Sequence, residues 1–147
     1  MRRNDQVDIV QCDWQEISHS LELIRTKVFI EEQGVPIHIE MDGLDSTAWH
    51  FLASTAAGET IGCSRLLPSG KIGRLAVLRS YRGEGVGTAL LKETVKFGKA
   101  TLKSKLYLHA QSYAKDFYAA NGFSSIGAPF LEADIEHIKM IYNQLAN

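Results

Sequence analysis

Apolar positions along this 147-residue chain change their spacing from segment to segment, and each change marks an element. Val7, Ile9 and Val10 read as a short first strand. Ile17, Leu21, Ile24 and Val28 then recur three and four residues apart, which predicts a helix running to about Glu31 or Glu32. Asp13 and Glu16 have capping-box spacing at its start, and Gly34 and Pro36 stop it. Residues 37–47 lack periodicity and are expected to form a loop or a short helix. Trp49–Ser54 and Thr60–Leu67 read as strands joined by a hairpin at Ala57-Gly58-Glu59. Pro68-Ser69-Gly70 turns the chain into a third antiparallel strand, Lys71–Val77. Val86, Leu90 and Phe97 mark the inner face of a helix from Gly85 to Ala100. In Lys105–Ala110, Leu106 and Leu108 alternate with Tyr107 and His109, so this is a strand. Ser112 is placed to cap a short helix, Tyr113–Asn121, ended by Gly122. Phe123–Ile126 and Ile138–Tyr142 make a closing strand pair. The pattern predicts a layered α/β (α+β) domain spanning 1–147, with a curved, mostly antiparallel sheet flanked by helices.

Composition narrows the function classes. The chain is long enough to bury one substantial core, and its 45% apolar and 22% charged residues suit a globular protein. A net charge of −1 with interspersed signs gives no basic face, so nucleic acid is not an expected partner. Cys12 and Cys63 stand alone, without a CxxC pair, as reduced thiols of a cytoplasmic protein do. Met1-Arg2-Arg3 leads into no apolar signal core, and no stretch reaches the length of a membrane span, so no membrane partner is expected. The five histidines do not cluster with ligand spacing, and His38-Ile39-Glu40 lacks a cysteine pair, so no metal is predicted.

The segment Arg82-Gly83-Glu84-Gly85-Val86-Gly87 carries the strongest chemical signal. It lies between a strand and a helix. Glycines lack Cβ, so backbone N–H groups can close around an anion, and the helix start adds unpaired donors and a positive dipole end. A Walker A loop is excluded, because Thr88-Ala89 follows Gly87 where Lys-Ser/Thr is required. A dinucleotide fingerprint fails too: Thr88 stands at its third glycine, and the next strand ends His109-Ala110-Gln111 without an acid. A glycine-rich turn with no ligand is the remaining bland alternative.

Arg82-x-x-Gly85-x-Gly87, preceded by Leu75-Ala76-Val77 and Tyr81, resembles the acyl-CoA signature of the GNAT superfamily of N-acyltransferases. Phe117-Tyr118-Ala119-Ala120-Asn121-Gly122-Phe123 resembles the element that follows the next strand in that family. Val28-Phe29-Ile30-Glu31-Glu32-Gln33, Glu40-Met41-Asp42-Gly43-Leu44-Asp45, His50, Ala110-Gln111 and Ile135–Met140 are similar to its ElaA-like branch. The resemblance implies a single acetyltransferase domain using acetyl-CoA as cosubstrate and a small-molecule or peptide amine as acceptor. It also implies a sheet splayed between strands 71–77 and 105–110. Leu75, Ala76 and Val77 would offer backbone groups to the pantetheine. Arg82, Gly83, Glu84, Gly85, Val86, Gly87 and Thr88 would hold the pyrophosphate, with the Glu84 side chain turned to solvent. Dimers are common in the family, so a homodimer is among the expected states.

The same resemblance places Tyr118 as the general acid. A phenol near pKa ~10 is a workable donor to a thiolate whose thiol titrates near ~8.5. The base is read as His137 or Glu32, with Glu31, Glu40, Asp42 and His50 as weaker candidates. Glu32, Gln33 and His137 are the acceptor-contact candidates. Gln111, at the strand end beside the splay, would bond the cofactor or orient Tyr118. Acids in 37–47 and in an expected loop over 129–136 suggest a cationic acceptor. The alternative function is a non-catalytic acyl-CoA-binding or sensing module.

Overall fold

The computed structural model describes residues 7–143, except the side chains of Glu16, Ile17, Ser18 and His38. Seven strands form one sheet in the order β1-β2-β3-β4-β5-β7-β6. They are β1 (Asp8–Cys12), β2 (Trp49–Ser54), β3 (Thr60–Leu66), β4 (Lys71–Val77), β5 (Tyr107–Gln111), β6 (Phe123–Glu132) and β7 (Ile135–Tyr142). Four α-helices accompany them: α1 (Trp14–Arg25), α2 (Ile37–Glu40), α3 (Val86–Thr101) and α4 (Lys115–Ala120).

The helical stripe behaves as its spacing predicts: Leu21, Ile24 and Val28 pack on Leu52, Cys63 and Ala76 at one sheet face. The winding differs from expectation. After Arg25 the helix widens into π turns over Thr26–Glu32, with Gln33 N–H bonding the Val28 carbonyl at 3.2 Å. Gly34, at φ +75°, ends it in the left-handed conformation that glycine adopts without a Cβ clash. The expected caps do not form. Asp13 makes no side-chain bond to the α1 N-terminus, Glu16 lies outside the described side chains, and Ser112 opens a 3₁₀ turn over Ser112–Ala114 instead of capping α4.

The opposite face carries α3. Val86, Leu90, Leu91 and Val95 bury against Phe51, Ala53, Ile61 and Leu66. The approach is close because residue 62 is glycine. A Cβ there would lie 2.8 Å from Leu90 Cδ1 and 3.1 Å from the Ala76 carbonyl oxygen. Gly62→Ala is therefore expected to push α3 off the sheet and to destabilise the protein by about 1–3 kcal/mol in denaturant unfolding. An unchanged midpoint would refute this packing argument.

Two features shape the functional end. On β4, Arg74 sits at φ +51° where the β3–β4 register slips between Cys63 and Arg65, so one extra residue bulges the strand. β4 and β5 pair in parallel only at Lys71↔Tyr107 and Ile72↔Leu108; beyond that they diverge, as the resemblance implied. The closing hairpin is longer than its predicted pieces. β6 continues past a register slip between Ile126 and Phe130, and Ala133 and Asp134 turn it with φ +54° and +61°. Both positive values match the primed turn that suits strand twist. Most of 129–136 is thus hairpin, where a loop was expected.

Candidate active site

A cleft of about 530 Å³ runs from the glycine loop through the β4–β5 gap to the β6–β7 turn. Leu75, Ala76 and Val77 line one wall, and Leu108, His109 and Gln111 line the other, with Phe117 and Tyr118 from α4. Gly83 and Gly85 adopt φ +77° and +88°, values an L side chain resists. Gly85 is the N-cap of α3, and the first intrahelical bond reaches back only from Ala89 N–H, at 3.0 Å. The N–H groups of Val86, Gly87 and Thr88 therefore have no intrahelical acceptor and could hold an anion, so the residues present fit a pyrophosphate. A Cβ at Gly87 would meet Phe117 at an ordinary 3.6 Å and its φ is not positive, so the protein's own packing does not forbid a side chain at that position.

Several predicted residues have partners that the sequence did not announce. Arg82 forms a two-pronged pair with Glu32 at 2.7 and 2.8 Å, and its Nε bonds the Val77 carbonyl at 2.8 Å. Leu78 N–H bonds Ile61 across the ladder, so alternation turns the Val77 backbone groups away from β3 and toward the gap. One carbonyl expected to be open to pantetheine is thus already engaged. The Arg82 hydrogen bond, with the nearby Arg79 charge, holds the Glu32 carboxyl below its usual range against a small desolvation effect. Such a carboxylate accepts protons poorly. The Glu84 side chain, expected in solvent, has its Oε1 buried without a hydrogen-bond partner. Its negative charge sits at the start of α3, where the helix dipole favours it. Gln111 lines the cleft, and its Nε2 donates to Gln33 Oε1 at 2.9 Å, tying the π-helical end to β5.

The acids of 37–47 are also committed inward. Arg25, fully buried, bonds Glu40 at 2.7 Å and Asp45 at 2.9 Å. Arg65 bonds Asp42 at 2.9 Å and Asp45 at 3.1 Å, and Arg74 lies 3.0 Å from Glu40 and 3.1 Å from Asp42. Three cations thus match three anions, and the acidic bias expected to attract a cationic acceptor is internally neutralised. Burial pushes the Asp42 carboxyl up, but hydrogen bonds from Arg65 and the Leu44 N–H outweigh it and bring it down to about 2. His50, at the back of this cluster, donates from Nε2 to the Asp45 carbonyl at 2.8 Å and stacks near Trp14, in a structural role. Burial pushes its pKa down.

Tyr118 packs edge-on against Phe117 and Phe123, with ring centroids at 5.1 and 6.1 Å. Its hydroxyl has no hydrogen-bond partner among the described residues, and the residue lines the cleft. Burial pushes the phenol pKa well up, so it is a neutral donor at any working pH. His137 also borders the cleft; its Nδ1–H donates to the Ile135 carbonyl at 2.7 Å, which leaves Nε2 as a lone-pair acceptor. His109, read beforehand only as an alternating strand residue, lines the cleft too, 2.9 Å from Glu132. No local pattern marks that pair, because its members are brought together only by the curl of the last hairpin. Among the described residues, no group of three or more His, Cys, Asp or Glu could hold a metal ion. No helix among them is long and apolar enough to cross a membrane.

A mixed sheet that opens beside a glycine-started helix, with a tyrosine across the gap, defines an acyl-CoA-dependent transferase of the GNAT class. Residues 18–143 match the acetyltransferase (GNAT) domain model, and the chain belongs to that family, whose cosubstrate is acetyl-CoA. Within it, the chain is similar to ElaA of Escherichia coli, with 31% identity over 145 residues, 87% of this chain and 94% of ElaA. The ElaA crystal structure superposes with a TM-score of 0.83 over 92% of this chain and 99% of ElaA, at 29% identity. An acyl-CoA N-acyltransferase from Pseudomonas aeruginosa matches at 30% identity and a TM-score of 0.79, over 93% and 99% of the two chains. A GNAT acetyltransferase from Elizabethkingia anophelis with acetyl-CoA bound shares the fold at 20% identity and a TM-score of 0.65, over 93% and 95% of the two chains.

Proposed function

We propose that this protein is a single-domain N-acetyltransferase that passes an acetyl group from acetyl-CoA to an amine by direct attack in a ternary complex. The observation that carries the reading is the unbroken cleft from the Gly83–Thr88 cradle to the Tyr118 hydroxyl. Val86, Gly87 and Thr88 N–H groups hold the pyrophosphate. Leu75, Ala76 and Val77 flank the pantetheine, and Tyr118 donates a hydrogen bond to the departing sulfur. Arg82 anchors the loop to Glu32 and Val77 and adds only a screened charge, since its Glu32 partner neutralises it. Gln33 and His137 meet the acceptor on the far side of the splay. No protein nucleophile is called for: Cys63 is fully buried, and burial raises its thiol pKa to about 12, so it carries no thiolate at neutral pH.

Calorimetry with acetyl-CoA, CoA, ATP and NAD tests the cradle, and mass spectrometry of an amine panel tests the transfer. Acetyl-CoA and CoA are expected to bind and to raise the melting temperature, while ATP and NAD do neither. Acetylated product is expected from at least one amine class. Binding with no product from any amine would favour the non-catalytic acyl-CoA-binding module; absence of any heat with acetyl-CoA would remove both readings.

A further inference from the structure

The last hairpin does something that the sheet order alone does not require. β7 lies between β5 and β6, yet Glu132 on β6 reaches His109 on β5 at 2.9 Å. The hairpin tip must therefore curl over the sheet face. The register slip between Ile126 and Phe130, with Gly127 at φ +80°, supplies the bend. Phe130 then wedges between two imidazoles, edge-on to His109 at 5.0 Å and nearly parallel to His137 at 6.0 Å. The result is a roof of Glu132, Ala133, Ile135 and His137 over the cleft, with His109 beneath it.

Resting on the acetyl-transfer reading, we infer that His109 is the base that takes the proton from the acceptor ammonium, and that Glu132 is its positioning residue. A carboxylate can only accept, so the His109 Nδ1 carries the hydrogen and donates it to Glu132. That leaves the Nε2 lone pair for the cleft, where no described residue takes it. His137 also keeps its Nε2 free, but its Nδ1–H rests on a neutral backbone carbonyl. On accepting a proton each ring becomes a cation, and only His109 has an anion in contact to stabilise it. Burial opposes ionisation of Glu132, but the His109 hydrogen bond and the charges of Lys71, His109 and His137 hold its carboxyl below the usual range. The titratable and charged groups around this pair are Tyr107 on β5, whose ring lies 6.2 Å from that of His109, Glu132 from β6, Lys71 from β4, and His137 and Lys139 from β7. Lys139 is paired with His109 in register but turns its ammonium over the Tyr107 ring at 4.9 Å.

The proton balance is complete with these groups. The ammonium gives one proton to His109 Nε2, which passes it to solvent. The free amine forms the C–N bond to the acetyl carbonyl carbon as the C–S bond breaks. As the amide forms, the nitrogen releases its second proton to solvent, and the thiolate held by the Tyr118 hydrogen bond takes one proton from solvent, so the products are the amide and a neutral thiol.

The test uses the full chain and the primary amine of a broad panel that turns over fastest, with thiol release followed from pH 6 to 9. H109Q is expected to lower kcat at least tenfold without changing the KM for acetyl-CoA. E132Q is expected to move the acid limb of the pH profile to lower pH, because the imidazolium loses its partner. H137Q is expected to change the KM of the amine and leave the limb in place. Nitrogen-15 NMR of the ligand-free protein gives a second readout: the neutral His109 ring carries its hydrogen at Nδ1 in the wild type. H109Q that turns over as the wild type does would overturn the assignment alone, as would a limb that follows H137Q or a neutral His109 ring protonated at Nε2. A wild type that binds acetyl-CoA yet acetylates nothing would instead defeat the transfer reading, and this assignment with it.

Discussion

Arg25→Met is expected to destabilise the protein by about 3 kcal/mol, the lower part of the range for breaking a buried ion pair from one side. Arg25 is 1% exposed and is the side chain on which the carboxylates of Glu40 and Asp45 converge. Methionine fills similar space and leaves no large cavity, so the loss is electrostatic. Glu40 and Asp45 keep partial support from Arg74 and Arg65, which is why the figure stays low in the range. In a chain of this size the shift corresponds to roughly 6–12 °C in melting temperature. The deficit is expected to shrink in acid. Burial raises the Asp45 carboxyl, but hydrogen bonds and charge from Arg25 and Arg65 outweigh it and leave its folded pKa below the ordinary value. A carboxyl depressed in this way stabilises the fold above its unfolded pKa, near ~3.9, and the contribution is lost as pH falls through the folded value. The variant has already lost most of that contribution, so the two denaturation midpoints should converge below about pH 4. Equal stability at pH 7, or a gap that widens in acid, would show that Arg25 does not neutralise these acids.

Tyr118→Phe is expected to lower kcat by about 10²–10³ while acetyl-CoA binds as tightly as before. The ring packs between Phe117 and Phe123, and phenylalanine preserves that packing. Only the hydroxyl is lost, and it has no described protein partner to leave unsatisfied. Because burial raises the phenol pKa, Tyr118 acts by donating a strong hydrogen bond to the leaving sulfur, and full ionisation of the phenol is unfavourable. The alkaline limb of the rate profile should therefore not belong to Tyr118 below about pH 10. Stopped-flow turnover beside calorimetry separates the two quantities. Unimpaired kcat in the phenylalanine variant would exclude Tyr118 as the donor; equally weakened binding would make it a packing residue.

The two variants probe different links of one chain of cause. The Arg25 cluster fixes segment 37–47 and Arg74. Arg74 is the positive-φ residue at the bulge where β4 turns out of register with β3, and β4 separates from β5 after Ile72. That separation is the gap beside which Tyr118 stands. A non-glycine residue held at positive φ costs about 1 kcal/mol or more, and two carboxylates, Glu40 and Asp42, hold the Arg74 side chain in place. The buried charges thus act on activity through backbone geometry as well as on stability.

What the sequence determined by itself is what neighbours along the chain can encode. Alternation in 105–110 and the three-and-four spacing from Leu21 to Val28 place a strand and a helix, because side-chain direction repeats every two or 3.6 residues. The Gly83-x-Gly85-x-Gly87 run determined the turn and the start of α3, since positive φ and a bare helix start are local backbone properties. Only the tertiary structure decided which charges meet. Glu32 neutralises Arg82 from fifty residues away, Glu40, Asp42 and Asp45 turn inward to three arginines, and Glu132 crosses over β7 to His109. The sign of each charge is written in the chain, but its partner depends on how the sheet twists and where the hairpin bends, and no spacing rule reports that.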